Sequence, residues 1–105
     1  MTMTPPQRAI YDKLVSVART IGPFTEDPKK TSIHLTRRSA FAGVATRKDA
    51  LMLTLKSASD IPSPRIAKRE QASANRWHLD VRLEKPADVD SELKAWLKQA
   101  MALSV

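Results

Sequence analysis

Two imidazoles and a handful of arginines are the side chains in this sequence equipped to bind or transform a ligand. His34 and His78 are the only histidines. Each sits in a run of alternating polar and apolar residues: His34 between Ile33 and Leu35, His78 between Trp77 and Leu79. Such alternation puts both on the polar face of β-strands. An imidazole there can move a proton or hydrogen-bond a ligand near neutral pH. It can equally stay a plain surface group or pair with the nearby Asp80. His78 and Asp80, two apart on one strand, share a face with His34, and two imidazoles with a carboxylate suit a transition metal. Nothing else in the pattern calls for one, so no metal and no cofactor are assigned.

Arg37, Arg38 and Ser39 follow the first histidine strand. Guanidinium and hydroxyl groups together can hold a phosphate. Adjacent strand residues point to opposite faces, so one arginine serves such a site and the other pairs with Asp80 or Glu84 or stays solvated. Arg65 and Arg76 have the same two readings. Each can complete a basic cluster, and each can tie a loop down through backbone carbonyls. Arg38, Arg65 and Arg76 are the candidate charges; Ser39, Asn75, His34 and His78 are the candidate orienting groups.

The aromatic residues point elsewhere. Trp77 is in phase with Leu79, Val81 and Leu83 and therefore belongs to the core rather than to a base-stacking platform. Phe41 reads as packed, and Trp96 lies on a helical apolar stripe. Signatures of catalysis are missing: with only Gly22 and Gly43, no glycine-rich phosphate loop can form. There is no serine elbow and no His-Glu-x-x-His motif. Glu92 and Lys94 resemble nuclease spacing only superficially and fit helix capping and pairing better. An enzyme using His34 or His78 as general base remains the weakest of three readings.

The charge is unevenly spread. The chain has 18 basic and 11 acidic residues, net +7. Residues 31–78 hold nine basic against three acidic residues, so +6 of that excess falls on the segment expected to form the sheet. Such a concentration favours an anionic partner. A basic protein whose charge only keeps it dispersed is the plain alternative. The absence of cysteine excludes disulfides and thiolate chemistry. The first residues lack the pattern of a secretory leader, and no apolar run is long enough to span a bilayer. A cytoplasmic protein without membrane contact is the expectation.

These side chains need a scaffold, and 105 residues suit one domain spanning 1–105. Thr4, Pro5 and Gln7 form a helix start, with Gln7 placed for a capping box. Ile10, Leu14, Val17, Ala18 and Ile21 make its apolar stripe, and Gly22-Pro23 ends it. Residues 24–30 read as a loop. Residues 32–36, 40–45 and 51–56 read as strands, the last the clearest through Leu51, Leu53 and Leu55. Residues 59–64 form a loop around Pro62 and Pro64, 65–70 a short edge strand, 72–75 a turn, and 76–84 a half-buried strand. Asp88 is expected to cap a closing helix with Val89, Leu93, Trp96, Leu97, Ala100 and Leu103 inward.

The order α-β-β-β-(β)-β-α predicts an α+β domain. Its mainly antiparallel sheet of four or five strands carries both terminal helices on one face. The other face then presents His34, Thr36, Thr54, Lys56, His78, Asp80 and Arg82.

Longer runs are more specific than this pattern. Residues 30–44 (KTSIHLTRRSAFAGV), 63–66 (SPRI), 73–78 (SANRWH) and 80–83 (DVRL), with the closing helix around Trp96, together resemble the bacterial domain of unknown function 5655 family. The resemblance covers nearly the whole chain. It implies an intracellular bacterial domain found alone or at the C-terminal end of longer proteins, some labelled predicted transport proteins. It implies no activity and no mechanism. The residues that carry it are largely polar: His34, Arg37, Arg38, Ser39, Arg65, Asn75, Arg76 and His78. Polar signatures of this kind belong to sites or to buried hydrogen-bond networks.

The expected function is binding of nucleic acid or a phosphorylated small molecule through the arginine–histidine cluster. The alternative is a protein-interaction module, including a homodimer, whose open sheet face is covered by a partner protein.

Overall fold

The computed structural model describes residues 2–104. Its elements are α1 (Pro5–Ile21), β1 (Thr25–Pro28), β2 (Ile33–Thr36), β3 (Ala40–Arg47), β4 (Ala50–Ser57), β5 (Ile66–Ser73), β6 (Arg76–Leu83), a 3-10 turn (Pro86–Asp88) and α2 (Ser91–Ala102). The α+β class is as the periodicities predict. The sheet has six strands rather than four or five, all antiparallel to their neighbours, in the order β1-β2-β3-β4-β6-β5.

The extra strand is β1, in a segment whose Pro28 argues for a loop. Pro28 has no N–H to give a ladder, and it is tolerated because β1 is an edge strand and Pro28 is its last residue. β5 is also longer than its sequence predicts and runs on to Ser73. The turn into β6 shrinks to Ala74 and Asn75. A two-residue turn at Lys48 and Asp49 joins β3 to β4, with Asp49 in the left-handed region at φ 56°.

The swap of β5 and β6 follows from burial. β6 contributes Leu79, Val81 and Leu83, each fully buried, whereas β5 buries Ile66 alone. The strand with three core residues takes the position flanked on both sides, and the polar one is left at the rim. β4 and β5 therefore run parallel with β6 between them, and residues 58–65 cross over to join them. Ile61 packs against the core beneath that crossover. Arg69 fastens it, donating to Asp60 Oδ1 (2.7 Å) and to the carbonyls of Ile61 (3.1 Å) and Ser63 (3.2 Å).

α1 and α2 cover one face of the sheet. Leu35, Val44, Leu51, Leu53, Leu55, Leu79, Val81 and Leu83 meet Ile10, Leu14, Ala18, Leu93, Leu97, Ala100 and Met101 in a single core. Each large side chain so buried contributes about 1.5–3 kcal/mol. The capping box forms as expected: Thr4 Oγ1 accepts from the Gln7 amide (3.3 Å), and Gln7 Oε1 accepts from Thr4 N (2.9 Å). The buried Gln7 carboxamide also donates to the carbonyls of Arg47 (2.8 Å) and Ala50 (3.1 Å), pinning the helix start to the β3–β4 turn.

Asp88 is not the cap of α2. Its carboxylate accepts from Glu84 N and Lys85 N, while Asp90 Oδ1 caps the helix through Leu93 N (3.0 Å). The 3-10 turn accounts for the two-residue shift, and Val89 plugs the core between the two acids. On α1, Tyr11 is 2 % exposed and donates its hydroxyl to Glu26 of β1. Burial, reinforced by the Glu26 carboxylate, pushes the Tyr11 phenol well above its ordinary pKa.

Candidate functional site

The face away from the helices is built by strand alternation. His34, Gly43, Thr54 and Asp80 stand opposite one another across β2, β3, β4 and β6, so they form one transverse row. Lys56 and His78 make the next row, followed by Glu70 on β5. Ala45, Met52 and Arg82 lie on the other side of the first row. All are half-buried or exposed, while the residues between them on each strand are core.

A recess of about 360 Å³ opens on this face above β3. Its floor is β3 itself, from Ala40 to Ala45, and its walls are Ser32 just before β2, His34 on β2, Thr54 and Lys56 on β4, and His78 on β6. The volume lies near the lower end of small-molecule sites. The floor is low because the open-face positions of β3 are Gly43 and Ala45. A Cβ built on Gly43 would have the His34 Cδ2 as its neighbour at 3.8 Å.

Among the described residues, the side chains of His34, Lys56 and His78 make no hydrogen bond or ion pair. Asp80, the nearest acid of the first row, is engaged by Thr54 Oγ1 at 2.7 Å. Asp27, opposite His34, pairs with Lys29 at 2.9 Å. The recess thus carries one ammonium and two imidazoles with donor capacity to spare.

The seven sequence candidates separate. His34 and His78 both line the recess. They stand three strand spacings apart, roughly 14 Å, so with Asp80 they do not make a single ligand set. No group of three metal-ligating side chains occurs among the described residues. Arg38 and Ser39 lie in the β2–β3 connection, Asn75 in the β5–β6 turn and Arg76 at the start of β6, all at the end of the sheet where Lys56 and His78 also lie. Arg76 donates to its neighbour's carbonyl, Asn75 O (2.8 Å). Ser39 is tied to the end of the chain: Ser104 Oγ lies 3.1 Å from Ser39 Oγ and donates to Ser39 O (2.9 Å), while Arg38 N donates to Ser104 O (3.2 Å). Neither Arg37 nor Arg38 pairs with Asp80 or Glu84; Glu84 belongs to Arg82 (3.5 Å).

Arg65 is apart from all of these. It precedes β5 and reaches the start of α2, donating to Asp90 (2.9 and 3.1 Å), Glu92 (3.1 Å) and the Asp88 carbonyl (2.6 Å). Its guanidinium carbon is 5.6 Å from the centre of the Trp96 ring. Burial lowers an arginine's pKa, but the bonds and charges of Asp90 and Glu92 outweigh it and hold Arg65 above its ordinary value. The Leu93 amide first, then Arg65, hold the Asp90 carboxyl below the usual carboxylate range against a smaller effect of burial. Of its two sequence readings, Arg65 adopts the loop-tying one.

Sequence reasoning set Thr54 and Lys56 on the open face but not among the ligand groups. Strand alternation was the available signal, since both flank Leu55 in the clearest strand. The floor residues Gly43 and Ala45 were missed as well, although small side chains mid-strand are themselves a signal.

The family model for a domain of unknown function, DUF5655, matches residues 4–104. The chain belongs to the DUF5655 family. That match begins at the Thr4 cap and ends at Ser104, so it takes in every element of the DUF5655 fold described above. Comparison with curated proteins gives no match, and comparison with solved structures gives none. No helix among the described residues is long and apolar enough to cross a membrane.

Proposed function

We propose that this DUF5655 domain binds a small anionic ligand, phosphorylated or carboxylated, in the recess above β3. One observation carries the reading: Lys56, His34 and His78 line a common recess and none of them is engaged by an acid among the described residues, although Glu70 stands opposite His78, whereas Arg65 and Arg69 are each matched to acids. An ammonium left unpaired beside an apolar floor, with two imidazoles able to hydrogen-bond, suits an anion that brings its own apolar part. Arg76 and Arg38, at the same end of the sheet, extend the positive field that draws such a ligand in.

A nucleic-acid strand is favoured less. Trp77 packs toward the core and Phe41 is fully buried against Phe24, so the open face offers no aromatic platform for successive bases. A partner protein or a second copy over this face would need no recess of this chemistry.

The test is titration of the 15N-labelled protein with phenyl phosphate and, separately, with a 20-nucleotide single strand. Phenyl phosphate is expected to shift the amides of Gly43, Thr54, Lys56 and His78, and Lys56→Met to weaken that binding by about tenfold or more. Strand binding that falls steeply between about 50 and 200 mM salt would replace the small ligand with nucleic acid. Absence of shifts with both, together with a dimer in light scattering, would put a second copy on this face instead.

A further inference from the structure

Nothing within the chain requires residue 43 to be glycine. Its φ is not positive, and a Cβ there would touch one atom, His34 Cδ2, at ordinary van der Waals distance (3.8 Å). Gly43 lies inside a strand hydrogen-bonded on both sides, where glycine is unfavourable because it loses more backbone freedom on folding and packs nothing. Glycine inside a strand marks a bulge, a bend or the close approach of a ligand; the β2–β3 bulge lies where Leu35 and Thr36 meet Ala42 and Ala40, just short of Gly43.

The shape of the clearance is defined by its neighbours. Ala45 is the next open-face position of β3, so two successive places on this strand carry only a hydrogen and a methyl group. On either side, His34 and Thr54 stand opposite Gly43 and rise above it. β2 and β4 are two strand spacings apart, about 10 Å. The result is a slot one side chain deep, with a flat floor of peptide groups and an imidazole along one wall. Its charge is concentrated toward one end, where Lys56 and His78 face each other across β4 and β6.

We infer that the recess takes a planar, ring-bearing anion. Its ring lies flat on the backbone at Gly43 and Ala45, and its anionic group is directed to Lys56 and His78. The inference rests on the anion-binding reading above and adds the class of ligand. A compact tetrahedral anion would satisfy Lys56 and His78 but leave the floor bare. A bulky branched ligand would stand clear of a slot this shallow. A ring fills it and covers the peptide plane that the absent side chain exposes, and aromatic stacking beside His34 favours the same geometry.

Aryl phosphates and aryl carboxylates share this chemistry, and four probes distinguish them: phenyl phosphate, benzoate, methyl phosphate and acetate. Calorimetric titration is expected to show the two ring-bearing anions binding about tenfold or more tighter than their ring-free counterparts. Gly43→Val should erase that difference by filling the slot, and Gly43→Ala should erode it partly. The alanine variant decides the matter if the valine variant fails to fold. Equal binding of all four probes, or a uniform loss across them in the Gly43 variants, overturns the planar class. If Lys56→Met still abolishes binding in that case, the anion site stands without it. No binding of any probe to the native protein removes both.

Discussion

The covered side of the sheet and its open side use basic side chains for opposite ends. Toward the helices, Arg65 is bound to two carboxylates and a carbonyl and lies over Trp96, and Arg19 meets Glu26 (3.1 Å) above the Phe24 ring. On the open side, Lys56 and the two imidazoles face a recess with no acid engaged to them. Acids fasten helix and loop at Arg19, Arg65 and Arg69, and Lys56 is left without one beside β3. Where charge is matched it fixes geometry; where it is unmatched it is available to a visitor.

This contrast can be broken most severely from its shared centre. Leu53 is fully buried in β4, paired with Val44 and Val81. Leu53→Ala should cost about 2–5 kcal/mol in urea unfolding and abolish both sides together. Arg65→Ala should cost less, about 1–2 kcal/mol for a partly exposed group, because it strands Asp90 and Glu92 and uncovers Trp96. Phenyl phosphate binding should survive it, which separates the fastening arginine from the recess lysine. Arg65→Lys should recover only part of the loss, since an ammonium cannot supply the fork.

A finer cut uses acidity. Because the folded-state pKa of Asp90 lies below its ordinary value, its contribution to stability is present above about pH 4 and is lost as pH falls through the depressed value. Thermal melts from pH 6 to pH 2 should show this loss, and Asp90→Asn, which keeps a capping oxygen, should flatten it. Lys56→Met should barely move stability, by less than about 0.5 kcal/mol, while removing anion binding. Were Lys56→Met as damaging to stability as Arg65→Ala, the distinction between the two sides would collapse.

Much of this was legible in the residues. Alternation in β2, β4 and β6 placed His34, Thr54, Lys56, His78 and Asp80 on one face, because period-two patterning fixes the face of every strand residue once one side is buried. The helix stripes and the Thr4–Gln7 cap followed from spacing as directly. Strand order did not, since β5 and β6 are consecutive and nothing local says that the second inserts beside β4. The destination of Arg65 was equally hidden: its acids lie 25 and 27 residues away, joined only by the tertiary fold. Asp88 and Asp90 both fit a helix cap, and the 3-10 turn that chooses between them depends on Val89 reaching the core. Gly43 was visible as a residue but not as a clearance, because emptiness above a strand is a property of three strands at once.

The insertion of β6 has a consequence for the order of assembly. During synthesis β5 emerges before the only strand it pairs with, and it cannot dock against β4 without occupying the place that β6 will need. Its exposed lysine, arginine, glutamate and glutamine side chains let it linger in water meanwhile, at little risk of sticking to the wrong edge. Completion of the sheet must therefore await the last strand off the ribosome, and the hydrophilic strand at the rim is the one built to be patient.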